Sequence, residues 1–340
     1  LFSLSLQSLP VTLGVLIGAA VVIYLACEYF VNGIEWVGRK LAVGQKATGT
    51  ILAAFGTALP ESVVTLVAVA FGGGKAGKDI GVGAAMGGPL VLGTLAYAVV
   101  GLTLLVCRRR LPAGADSHGF YNGLSRDQGW FVILSLIKLA VGFSLFAVKP
   151  WLGLVFLAAY IAYAWKELAG GDDFHHSHEL EPLKLAKTAA SPKTWLVLVQ
   201  TGVALVVIFI ASRVFVGRID ALGPVLGLKP QLLALLLSPI ATELPETLNA
   251  VIWVRQGKVK LALANISGAM MIQAAVPTAF GLFFTTWVLD PPVMIAGAVT
   301  VAAVSILFLA LRARRISRLG LMALGLVYLV FLGLLFGLRL

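Results

Sequence analysis

Glu61 and Glu246 each lie in an apolar stretch of this 340-residue chain, and both close the same five-residue pattern, Thr-x-x-Pro-Glu. The first copy reads Ala54-Phe55-Gly56-Thr57-Ala58-Leu59-Pro60-Glu61-Ser62-Val63-Val64. The second reads Pro239-Ile240-Ala241-Thr242-Glu243-Leu244-Pro245-Glu246-Thr247-Leu248-Asn249. A charged carboxylate at the centre of a membrane helix costs about 2.5–3.5 kcal/mol on insertion scales, so each needs a compensating partner. A cation is the direct one. Thr57 and Glu61 are four residues apart, as are Thr242 and Glu246, which sets hydroxyl and carboxylate on one helix face, a turn apart. Pro60 and Pro245 supply no N–H and clash with the carbonyl four residues back. A local break with free carbonyl oxygens at Gly56 and Ala241 is therefore expected. Two carboxylates with neutral oxygens, and no Cys or His beside them, suit a hard cation such as calcium, which takes six to eight oxygen ligands at about 2.3–2.6 Å. The structural alternative is that Pro and Thr only kink these helices while each Glu pairs with a basic residue, for which Lys138 is the stray candidate.

The elements that must hold these residues are membrane helices. Apolar residues make up 59% of the chain, charged residues 12%, and the mean hydropathy is +0.98, so most helix faces have no water to meet. Ten apolar segments of roughly crossing length are expected, near residues 10–37, 45–72, 79–106, 129–148, 150–168, 194–217, 229–254, 259–288, 291–311 and 318–338. The net charge of +11 does not mark a nucleic-acid surface, because the basic residues gather at segment ends rather than on a polar face. If the first helix starts outside, the inner turns hold clusters such as Arg39 with Lys40, Arg108 to Arg110, and Arg312 with Arg314 and Arg315. Eighteen basic residues then lie inside against seven outside, which places both termini outside the cell membrane. Cys27 and Cys107 lie in or beside apolar segments and read as packing residues. Gly72-Gly73-Gly74-Lys75 lacks the spacing of a phosphate-binding loop, so ATP-driven pumping has no support.

The repetition extends beyond the pattern. After each copy come an apolar half-helix, a short basic turn and a segment of small residues, Gly81 to Gly88 in one case and Leu263 to Ala269 in the other. The first copy falls in the second segment and the second in the seventh, so they cross the membrane in opposite directions. The expected architecture is an all-α membrane protein of two inverted five-helix halves, 1–168 and 194–340, joined by a polar linker over 169–193. The repeats proper cover about 44–106 and 229–288.

Gly56-Thr57-Ala58-Leu59-Pro60-Glu61 and Ala241-Thr242-Glu243-Leu244-Pro245-Glu246 resemble the two α-repeats of the calcium/cation antiporter superfamily, nearest its prokaryotic sodium/calcium exchangers. The resemblance implies that Thr57, Glu61, Thr242 and Glu246 ligate calcium, that Ala54 adds a carbonyl, and that sodium ions occupy overlapping sites. In the family the next helix supplies further ligands from a Gly-Ser-Asn-x-x-Asn or Asp pattern. Here the aligned positions are Gly88 and Leu92, and Ala269 and Gln273, so two hydroxyls and one acidic or amide group are missing. Glu243, where the family often has Ser, offers a third carboxylate able to carry a proton, and Gln273 offers an amide oxygen. The expected function is secondary antiport of calcium, or a similar divalent cation, against sodium by alternating access in a lipid bilayer. Proton coupling is the alternative, and a cation channel or an ion-binding receptor a more distant one. Enzyme chemistry and a resident cofactor are not expected. Outside the site, Asp172, Asp173, His175, His176, His178 and Glu179 read as a solvated linker. Glu28, Asn32 and Glu35 read as an interfacial helix end, and Lys138 as a side chain that snorkels or pairs with Glu28.

Overall fold

The computed structural model describes residues 9–40, 53–114, 117–143, 148–169, 181–189 and 191–337, without side chains at 38, 53–57 and 167–169. The Asp/His tract at 172–179 lies outside the described residues, as do the side chains of Ala54 and Thr57. Every regular element among the described residues is helical. We label them α1 (Leu9–Lys40), α2 (Ala53–Leu66), α3 (Gly74–Val91), α4 (Tyr97–Val106), α5 (His118–Gly142), α6 (Lys149–Ala169), α7 (Thr194–Leu226), α8 (Pro230–Thr242), α9 (Leu244–Arg255), α10 (Val259–Phe284), α11 (Pro291–Arg312) and α12 (Arg318–Gly337). By length and composition, six spans among the described residues are apolar enough to cross a membrane: Leu9–Val37, Gly74–Val106, Thr194–Leu226, Val259–Phe284, Pro291–Arg312 and Arg318–Gly337.

Several boundaries differ from the hydropathy reading for physical reasons. α5 begins at His118 rather than near 129, because its polar first turns are folded inward and so escape an apolar scan. Gln128 donates to Ser267 Oγ at 2.8 Å and to the Tyr97 hydroxyl at 3.2 Å, while the Ser267 hydroxyl donates to Asp127 Oδ2 at 3.2 Å. α7 continues past 217 to Gly227, whose left-handed backbone (φ 65°) closes the helix, with the Leu228 N–H bonding the Gly223 carbonyl at 3.1 Å. Proline acts differently at each place. Pro60 lies inside α2, which runs through it, so the break expected there is absent. Pro277 likewise sits inside unbroken α10. Pro89 is soon followed by a π-helical stretch, Leu92–Ala96, that carries α3 into α4. A second π-helical stretch, Val67–Phe71, ends α2.

Lipid gives membrane helices little hydrophobic drive to associate, so close packing of small residues and internal hydrogen bonds must hold them. α10 is the most enclosed span and packs on α2, α5, α6 and α9. α3 crosses α8 with their backbones in contact: a Cβ added at Gly87 would meet the Leu235 carbonyl oxygen at 2.5 Å and Pro239 Cγ at 2.9 Å. α1 packs along α7, and their outer faces expose Ile17, Val21, Leu198, Val203 and Ile210. Large apolar side chains turned outward on long helices are what a lipid-facing surface requires.

At one end of the α1/α7 pair the segment 181–189 is clasped in place. Asn32 accepts from the Lys184 N–H at 3.0 Å, Trp36 Nε1 donates to the Glu181 carbonyl at 2.9 Å, and Gln200 accepts from the Leu185 N–H at 2.9 Å. Glu28 binds Lys184 Nζ at 2.9 Å, so the expected pairing of Glu28 with Lys138 is not formed. Asn32 therefore holds the linker end rather than merely terminating a helix.

Candidate functional site

The two copies of the repeated pattern meet in the interior. Glu61, on α2 one residue past Pro60, is fully buried. Thr242 is the last residue of α8, and Glu243 is both the end of α8 and the cap of α9. The helix breaks there: Pro245 lacks the N–H that would continue the α8 ladder and is tolerated in the first turn of α9, where no partner is required. The second copy is thus a broken helix and the first a continuous one.

The break aims polar atoms inward. The Thr242 hydroxyl lies 2.7 Å from Glu61 Oε2, 2.9 Å from Glu243 Oε1 and 3.2 Å from the Ser238 carbonyl oxygen. A hydroxyl has one hydrogen to donate, so only one of its two carboxylate contacts is satisfied by it. The other requires a carboxyl proton or a cation beside it. Gln273 Nε2, from α10, donates to Glu243 Oε2 at 2.8 Å. Glu246 is fully buried in the first turn of α9, where the helix N-terminus favours negative charge. Cys27 of α1 is buried within electrostatic range of Glu246, which brings α1 to the edge of the cluster.

Glu61, Thr242, Glu243 and Gln273 are therefore joined by hydrogen bonds, and Glu246 follows Thr242 by four residues across the helix break. Asn265, two turns before Gln273 on α10, takes no part in those bonds. Glu61 Oε1 and Gln273 Oε1 are buried without a hydrogen-bond partner. Oxygens of this kind in a dry interior are costly unless something positive meets them. The cluster is rich in oxygen and holds neither imidazole nor thiolate among its joined members, a donor set for a hard cation.

Two residues of this cluster were not singled out by motif spacing. Gly88 on α3 touches it from the side: a Cβ there would lie 2.8 Å from both Gln273 Oε1 and Glu243 Oε1. Its signals in the sequence are the small-residue run, which packing alone also explains, and its alignment with the family's ligand pattern, where it reads as a missing ligand. Lys138 is fully buried on α5 and electrostatically coupled to Glu61, rather than reaching an interface. A lone basic residue inside an apolar segment was the signal for it.

A model of the family described as "Sodium/calcium exchanger protein" matches residues 11–167 and 196–337. Inner membrane protein YrbG of Escherichia coli (strain K12) is 27% identical over 315 residues, covering 88% of each chain. The H+/Ca2+ exchanger CAX superposes with a TM-score of 0.66 at 16% identity, over 96% of this chain and 88% of that one. The sodium-calcium exchanger NCX_Mj superposes with a TM-score of 0.58 at 18% identity, over 96% of this chain and 100% of that one. The two structural likenesses establish a shared all-helical membrane fold.

Proposed function

The chain belongs to the sodium/calcium exchanger protein family of membrane antiporters, and on that premise we propose that it exchanges calcium, or a similar divalent cation, for a monovalent cation. The observation that carries this reading is the 2.7 Å contact between Thr242 and Glu61, residues 181 apart that come one from each copy of the motif and meet around buried oxygens. Glu61, Glu246 and Glu243 supply charge to the transported ion, Thr242 and Gln273 neutral oxygens. Thr57 and the Ala54 carbonyl complete the set from the first copy, as the family resemblance implies.

In this reading residues 1–168 and 194–340 are two inverted halves of five crossings joined by 169–193, with both termini outside the inner membrane. α1 corresponds to α7, α2 to α8 with α9, α3 with α4 to α10, α5 to α11, and α6 to α12. The packing supports it, because exchanging the halves maps contacts onto contacts. α3 on α8 becomes α10 on α2, α6 on α10 becomes α12 on α4, and α1 on α7 and α5 on α11 map onto themselves. A site where such halves meet can be opened to one side at a time.

Sodium is the counter-ion that the family resemblance implies. A proton is the one favoured by the Thr242 hydroxyl, which sits between two carboxylate oxygens with a single hydrogen to give. Calcium uptake into proteoliposomes, with only the sodium or only the proton gradient imposed, tests the reading. Uptake should follow one of the two gradients and fall at least about 10–100-fold in Glu61→Gln or Glu246→Gln, the loss of one charged contact. Uptake that ignores both gradients, or survives both substitutions, contradicts it.

A further inference from the structure

Lys138 is set apart from the other described basic side chains. Its side chain is almost wholly enclosed, yet Nζ makes no hydrogen bond. Its backbone carbonyl accepts from Trp287 Nε1 at 2.9 Å, and Trp287 is itself fully buried, so the C-terminal end of α5 is pinned against the turn before α11. α5 also packs on α10, the helix that carries Gln273. An ammonium removed from water without a partner is strongly unfavourable, so Lys138 holds its charge only where an acidic group lies near it. Glu28, one partner the sequence offered besides the motif glutamates, is taken by Lys184. Glu61 is the acidic group with which Lys138 interacts electrostatically, and Glu61 Oε1 is the carboxylate oxygen there without a hydrogen bond. No ion pair closer than 4 Å forms between them among the described residues.

We propose that Lys138 is a fixed internal counter-ion of the cation site, tuning which charge the site accepts. The inference rests on the divalent-cation reading above. Glu61, Glu243 and Glu246, ionised around a bound ion, bring three negative charges, and Lys138 returns one positive. The remainder is the charge a single divalent cation cancels. Lys138 thereby compensates for Glu243, the carboxylate that stands where a hydroxyl was expected. It also keeps a bound divalent ion from being held too tightly to leave.

Calcium titration of the purified full chain in detergent, followed calorimetrically at fixed pH without sodium, tests this. Replacing Lys138 with the apolar isostere in Lys138→Met should tighten calcium binding about ten-fold or more, because a repelling charge is removed from a low-dielectric site. Loss of a merely structural residue would weaken binding instead. Adding Glu243→Gln to that variant should reverse the gain by a similar factor. Should Lys138→Met fail to fold, Lys138→Met/Glu243→Gln, which deletes one charge of each sign, is compared with Glu243→Gln alone, and the same tightening is expected. Equal or weaker binding without the lysine, in whichever folded pair is compared, overturns the inference. If the native chain binds calcium and Glu61→Gln does not, that failure is the inference's alone; if the native chain binds no calcium, the site reading fails and the inference with it.

Discussion

At Gly88 the absence of a side chain is what lets α3 touch the cluster. A methyl at that position would press within 2.8 Å of Gln273 Oε1 and Glu243 Oε1 and separate the one hydrogen bond that joins them. Gly88→Val should therefore cost about 1–3 kcal/mol of stability by overpacking, seen as a lower Tm, and should weaken calcium uptake more than does Gly93→Val, whose Cβ would meet Val304 Cγ2 at 2.9 Å. Equal effects of the two substitutions would mean that Gly88 serves packing alone. Glu61 and Glu246 were legible from spacing, because both recur after Thr-x-x-Pro, whereas Glu243 and Gln273 came only from the family resemblance. The role of Gly88 was not legible, because it is to be missing where two side chains from other helices meet. Lys138 was visible as a charge in an apolar run, but its depth could not be read from hydropathy, and snorkelling to an interface was the reasonable expectation for a long cationic chain.

Among the elements, the all-helical make-up and the close approach of α3 through its small residues follow from composition, whereas the number of crossings and the breaks do not. Two Thr-x-x-Pro-Glu sequences give one continuous helix through Pro60 and one helix split at Glu243. Proline removes one hydrogen bond in either case; whether the helix ends is decided by what surrounds it, and at Glu243 side-chain partners from α8 and α10 stabilise the turned backbone. The clasp on residues 181–189 was equally hidden, since nothing local marks Asn32, Trp36 and Gln200 as partners of a distant segment. Gln200 is buried, accepts from the Leu185 N–H and donates to the Tyr29 carbonyl and Asn32 Oδ1, each at 2.9 Å. Gln200→Leu leaves those groups unmet at about 1–3 kcal/mol. Limited trypsin digestion should then cleave after Lys184 or Lys187 at least several-fold faster than in the native chain; unchanged cleavage would mean that the clasp does not hold the segment.

For the whole molecule, what matters is that helices from both ends of the chain converge. α2 brings Glu61, the α8–α9 break brings Thr242, Glu243 and Glu246, α10 brings Gln273, and α5 carries the buried Lys138. The long α1 and α7 pack together at the edge of this assembly with apolar outer faces, and the linker end ties them to each other. The central claim is that all of this encloses one divalent cation. Crystals of the protein soaked with barium or strontium locate such an ion by its anomalous scattering. A single strong peak bounded by oxygens of Glu61 and Glu246, and absent in Glu61→Gln, is the predicted result. A heavy ion bound elsewhere, with none between these two carboxylates, would contradict the account.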